Sequence, residues 1–203
     1  MADAERVQPP AAFAQAVASL RAARLRPEVE LSEIPPPQRL APYSFALAAH
    51  VCAGAGPAGQ FSAAEASDGA TELASGRLIL LYDPDGQDAW DGTLRIVTYV
   101  TAELEPEMAG DPMLAGVGWS WLMDALAAAG ARHTAAGGTV TETRSVRFGD
   151  LAGPADTADV ELRASWTPLD SDLTAHLLAW CDLLCSTAGL PPPGITLLAL
   201  PAD

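Results

Sequence analysis

Three stretches of this chain alternate apolar and polar residues with a period of two, and they restrict the fold more than any other feature. In the first, Tyr43, Phe45, Leu47, Ala49 and Val51 fall on one side, with Ser44, Ala46, Ala48, His50 and Cys52 on the other. In the second, Leu94, Ile96, Thr98 and Val100 alternate with Arg95, Val97 and Tyr99. In the third, Val160, Leu162, Ala164 and Trp166 alternate with Glu161, Arg163, Ser165 and Thr167. A strand puts successive side chains on opposite faces, so each run buries one set and exposes the other. Arg77 to Tyr82 (RLILLY) is a fourth strand, joined to the second run by the turn DPDGQDAWDG as a hairpin. After Gly137 and Gly138 comes TVTETRSVRF, where Val140, Val146 and Phe148 share a face with Glu142 and Arg144. That mixture predicts an edge or half-exposed strand, which makes a second hairpin with 159–167.

Three amphipathic helices complete the pattern. Pro9 and Pro10 open the first, with Phe13, Ala16, Val17, Leu20 and Ala23 on one face; Arg21, Arg24 and Arg26 lie near its end and Pro27 stops it. The second, over 112–129, starts with Asp111 as cap and Pro112 in the first turn and stops at Gly130. Leu114, Val117, Trp121, Ala125 and Ala128 form one stripe on it; Trp119, Met123 and Leu126 form another. A helix apolar over more than half its circumference is buried on two sides or keeps a side for a partner. The third is capped by Asp170 or Ser171, buries Leu173, Leu177, Trp180, Cys181, Leu184 and Ala188, and ends at Gly189-Leu190-Pro191 in a Schellman-type stop.

The resulting order, α-β-β-β-α-β-β-α, predicts an α+β domain: a five-stranded antiparallel sheet with three helices grouped on one face. It lacks the steady βαβ alternation of a doubly wound fold. The chain of 203 residues divides into an arm at 1–10, one domain at 11–190 and a tail at 191–203. Within the domain, residues 53–75 are small, polar and glycine-rich and read as a flexible loop. Pro35, Pro36 and Pro37 read as a stiff extended spacer.

A net charge of −15 argues against nucleic acid and anionic membrane surfaces as partners, since both require a basic footprint. No stretch approaches the roughly 20 apolar residues of a membrane helix. Met1 is followed by ADAERVQPP, without the basic and apolar regions of a secretory signal. Three cysteines do not make a disulfide framework, so a cytoplasmic protein with reduced thiols is expected.

No motif for catalysis or metal binding holds together. Gly118-Trp119-Ser120-Trp121-Leu122 lacks the final glycine of a nucleophile elbow and lies inside a helix. Asp83, Asp85, Asp88 and Asp91 resemble a calcium loop in composition only: position six is Asp88 and position twelve is Leu94, where an EF-hand needs Gly and Glu. His50 with Cys52, and His176 with Cys181 and Cys185, have no zinc-knuckle spacing; core packing is the simpler role. Glu103, Glu105, Glu107 and Asp111 cluster at a strand–helix junction, a pattern capable of acid–base work or Mg²⁺ binding. Helix capping and solvation explain those charges as well.

RPEVELSEIPPPQRLAPYSFAL, the run GRLILLYDPDGQDAWDGTLRIVTYVTAELEPEMAGDPMLAGVGWSWLMDAL, GGTVTETRSV, LRASWTPL and HLLAWCDLL carry a resemblance. In them the chain resembles the domain-of-unknown-function 3000 family, an actinobacterial group with no assigned activity. The resemblance implies neither a catalytic residue nor a cofactor. In element order, size and acidity the chain is also similar to type III secretion chaperones and YbjN-like proteins, a topology that implies a homodimer and protein-client binding.

Two functions follow as expectations. The first is a non-enzymatic protein-interaction or chaperone-like module, without cofactor or metal, binding a protein partner or itself through Trp119, Met123 and Trp121. The alternative is an enzyme or metal-binding protein that uses the acidic cluster at 103–111 with Arg95 or Arg144. An exposed apolar patch at Trp119 favours the first, and a polar pocket lined by Glu103, Glu105 or Asp111 the second.

Overall fold

Every period-two run forms a strand in the computed structural model, which describes residues 9–52, 72–104, 108–153 and 156–192. The helices are α1 (Ala11–Ala22), α2 (Leu114–Ala128) and α3 (Thr174–Thr187). The strands are β1 (Val29–Glu33), β2 (Tyr43–Cys52), β3 (Glu72–Gln87), β4 (Gly92–Glu103), β5 (His133–Ser145) and β6 (Thr157–Pro168). They form one sheet of order β1-β2-β3-β4-β6-β5, antiparallel at every pairing. β5 lies outside β6, so α2 carries the chain past β6 to the sheet's outer edge.

The helices pack on one face. Phe13 of α1 meets Tyr43 and Tyr82 at ring-centroid distances of 5.7 and 6.0 Å. Gly76 on β3 lies under α3: a Cβ there would come within 3.0 Å of Leu184 and 3.1 Å of Trp180. Leu47, Leu78, Leu80, Ile96, Val100, Leu162 and Trp166, all of this face, are buried. Trp166 and Trp180 are 0% exposed. Burying a tryptophan removes roughly 200 Å² from water, worth about 5 kcal/mol before conformational entropy is subtracted.

The antiparallel α+β class and the three helices agree with the sequence, but the sheet has six strands, not five. The additional strand is β1, which pairs Leu31 with Ala49 and buries only Val29. An edge strand between Pro27 and Pro35 with one buried side chain has too little periodicity to be recognised. Glu72–Ser75, which composition places in the loop at 53–75, form the start of β3; residues 53–71 lie outside the described residues. Residues 1–8 of the arm expected at 1–10 and residues 193–203 of the tail expected at 191–203 also lie outside them.

The buried row of α2 differs from both predicted stripes. It is Leu114, Gly118, Leu122 and Leu126, spaced by four, while Val117 is 39% exposed and Ala128 is exposed. Gly118 explains this. A Cβ on it would lie 3.4 Å from Val140, so the helix approaches β5 along its smallest residue. A hydrophobicity pattern passes over a glycine and assigns the contact to its neighbour Val117. The helix ends as predicted: Ala131 donates its N–H to the Leu126 carbonyl around Gly130 at φ +67°, and Leu190 does the same to Cys185 around Gly189 at φ +71°.

Candidate functional site

α2 and β5 form the outer wall of the molecule. Trp119 lies directly on the strand backbone: a Cβ added at Gly138 would come within 2.9 Å of the indole Cζ3. The indole remains half-buried. Met123 follows Trp119 by four residues, one turn further on the same flank, and is also half-buried. Trp121 is half-buried on the opposite flank of the buried row, with Val117 one turn before it. The three predicted interaction residues are therefore on one helix but on two flanks of it. Exposed Met113, at 67%, precedes the helix, and exposed Phe148, at 78%, follows β5.

β5 pairs with β6 on its inner side; among the described residues nothing pairs with its outer side. From Gly137 to Ser145 every residue except Val140 is exposed. The segment contains neither Pro nor Lys, the residues that blunt free edges. A register shift between Thr134 and Gly137 interrupts the alternation, which is why sequence spacing starts the strand only at Thr139.

The acidic cluster does not assemble into a pocket among the described residues. Glu103 is exposed and lies opposite Asp159 of β6. Asp111 is exposed and accepts the Met113 N–H at 2.8 Å, the local turn that precedes α2. Glu105 and Glu107 lie outside the described residues. Arg144 pairs with Asp156 at 2.8 Å, and Arg95 binds neutral oxygens. Asp83 accepts from Asp85 N–H and from the Gln87 side chain, shaping the β3–β4 hairpin.

His50 and Cys52 lie on the face of the sheet that bears no helix, whereas Cys181 and Cys185 are buried in α3 across the sheet. Among the described residues no group of three or more His, Cys, Asp and Glu is placed to hold a metal ion. Burial raises both α3 thiols, Cys185 to about 11, so neither is a thiolate at neutral pH. His176 is buried and accepts the Trp166 indole N–H on Nδ1 at 3.0 Å. Burial, reinforced by nearby His133, pushes this imidazole down from 6.5 to about 4. It is a neutral core acceptor.

A second surface, invisible to sequence periodicity, is a concave space of about 950 Å³ on the helix-free face. Neither Glu103 nor Asp111 lines it. The strand registers resolve its floor into rows running across the sheet. One row is Ser32, Ala48, Arg77, Tyr99, Arg163 and Thr139, a single residue from each strand. Beside it runs an apolar row with Ile79 and Val97, to which Ile34 is tied through its N–H to the Ala46 carbonyl. On the other side lie His50 and Ser75, with His50 Nδ1 2.7 Å from Glu72. These residues are the off-core half of the period-two runs. Only the order of the strands brings them into rows, which a single sequence does not show.

A family model for proteins of unknown function, DUF3000, matches residues 9–196. The chain belongs to the DUF3000 family. Comparison with curated proteins and with solved structures found no match to this DUF3000 chain. No described helix is long and apolar enough to cross a membrane.

Proposed function

We propose that this DUF3000 protein is a non-enzymatic, chaperone-like protein-interaction module that acts as a homodimer in the cytoplasm. The outer edge of β5, unpaired among the described residues and with Trp119 seated beside it, is the observation that carries the reading. An edge strand offers a row of unpaired N–H and C=O groups, and a second strand satisfies them. A second copy brought in about a two-fold axis would pair β5 with β5 and set the Trp119 and Met123 flanks of the two α2 helices against each other. Such a contact is self-complementary and closes as a dimer. The Gly137-Gly138 pair supports it, because the missing side chains let the indole lie on the strand and leave the edge unobstructed.

Light scattering after size exclusion tests this directly. The expected mass is twice the 21.0 kDa chain mass. Trp119→Ala and Met123→Glu should each weaken the dimer at least tenfold, since a central aromatic commonly dominates an interface. A mass of one chain at every concentration, unaffected by either substitution, would remove the proposal.

A further inference from the structure

We infer that the helix-free face of the sheet binds a small organic anion with an aliphatic body, of the carboxylate class. In a chain of net charge −15 with 26 acidic residues, a cation in the middle of a sheet would be expected to have a carboxylate beside it. Arg77 has none: its guanidinium makes no ion pair or hydrogen bond among the described residues, although its carbonyl accepts the Thr98 hydroxyl. Of the carboxylates near Arg77 by register, Glu30, opposite His50 on β1, is exposed and two strands away, and two others are committed elsewhere. Glu161 holds Arg163 at 2.8 Å and accepts the Tyr99 hydroxyl at 2.9 Å, and Glu72 holds His50.

Beyond the apolar row stands a second cation with no carboxylate. Arg95 spends its donors on the Ser165 and Thr167 hydroxyls and the Ala135 carbonyl. Ile79 and Val97 thus lie between two cationic positions, half-buried although they point away from the core. A guanidinium offers two parallel N–H donors that match a carboxylate. An aliphatic strip beside it favours an apolar body through the water both release.

Size and backbone chemistry select the kind of occupant. A volume of about 950 Å³ falls within the usual range of small-molecule sites. Most of the floor belongs to the interior strands β2, β3, β4 and β6, each paired on both sides, with Ser32 of β1 and Gly137–Thr139 of β5 only at its two ends. The backbone groups of those interior strands are spent on the sheet, so an extended peptide lying over them would find no strand to join. On the β1 side the cavity meets Ile34, where the Ser44 hydroxyl donates to the Pro37 carbonyl and ties down the connection between β1 and β2.

The test is calorimetric titration of the full-length protein with sodium octanoate, sodium acetate and 1-octanol. Octanoate should saturate at one site per chain, with acetate and octanol at least tenfold weaker, because each supplies one half of the recognition. Arg77→Gln should weaken octanoate at least tenfold, and Val97→Asp should abolish its binding. Arg144→Gln, outside the cavity, should leave it unchanged. Circular dichroism checks that each variant folds; if Val97→Asp does not, Arg77→Gln decides alone. Octanoate that fails to saturate, or that binds Arg77→Gln as it binds the parent, overturns the inference. Trp119→Ala should retain octanoate binding, so the outcome is independent of the dimer.

Discussion

The two faces of the sheet are made by the same strands, yet they are different materials. Leu78 and Leu80 of β3 face the helices at 0% exposure, while Arg77 and Ile79, alternating with them, face the cavity. On the helix side polar groups are few and mostly satisfied: Thr98 donates to the Arg77 carbonyl, and Trp166 to His176. The exceptions are the Trp180 indole N–H and Glu28 Oε2, both buried with no partner among the described residues. On the open side the Arg77 guanidinium has no partner among those residues either. Period-two alternation therefore divides the work of each strand, with one parity holding the fold and the other left for chemistry that stability does not require.

Adjacent substitutions on β3 give the largest separation. Leu80→Ala should cost about 2–5 kcal/mol, from lost transfer free energy and the cavity left behind. Ile79→Ala, one residue away, should cost about 1 kcal/mol, since its side chain already meets solvent. Urea denaturation of both measures the contrast. Equal losses would mean that the open face is as much core as the other.

Acid sharpens the contrast on the helix side. In the folded state the His176 imidazole sits at about 4 instead of 6.5. Between those values the unfolded chain binds a proton that the folded chain refuses, so stability rises with pH through the window and falls as acid is added. The full loss is about 3 kcal/mol, because each tenfold difference in proton affinity is worth roughly 1.4 kcal/mol. His176→Gln can still accept the Trp166 N–H, so its stability should vary less between pH 6.5 and 4 than that of the parent. Parallel curves for the two proteins would show that His176 is not the group responsible.

How far the sequence can be read follows the same division. Phe45, Leu47, Ile96, Leu162 and Trp166 are legible as core because burial repeats along each strand, and a repeat needs only local spacing. β1 is not, since one buried valine makes no repeat. The row through Gly118 escapes a hydrophobicity pattern because a close contact can be made by a residue with no side chain to score. Trp119 and Met123 are recognisable as a pair on one flank, but residue type alone groups Trp121 with them, and residue type carries no angle. The row from Ser32 to Thr139 draws one residue from each of six strands, and no local window contains it.

A smaller effect is expected at the β1 edge of the helix-bearing face, where β1 meets α1. Arg21 holds Glu33 through two hydrogen bonds of 2.7 and 2.8 Å, and the Arg21 guanidinium keeps the Glu33 carboxyl below its usual range. Both side chains are about half exposed, so water and salt screen the pair. Glu33→Gln should cost under about 1 kcal/mol at neutral pH. The contribution is present above the carboxylate's unfolded value and disappears as pH falls through the lowered folded one. Thermal unfolding at two salt concentrations measures it, and a loss that does not shrink in high salt would indicate a buried pair instead.

The smallest effect on stability is the most informative about the open face. Arg77→Gln should change the free energy of unfolding by no more than about 0.5 kcal/mol, because the guanidinium gives up no partner among the described residues when it is removed. A residue that holds the fold and a residue kept for a ligand both look well placed in a sheet, but they respond differently to deletion. A loss above about 1 kcal/mol in urea would show that the Arg77 stem packs on the neighbouring strands as structure, and the two faces would then differ in polarity alone. No loss, together with lost octanoate binding, is the combination that only a reserved cation produces.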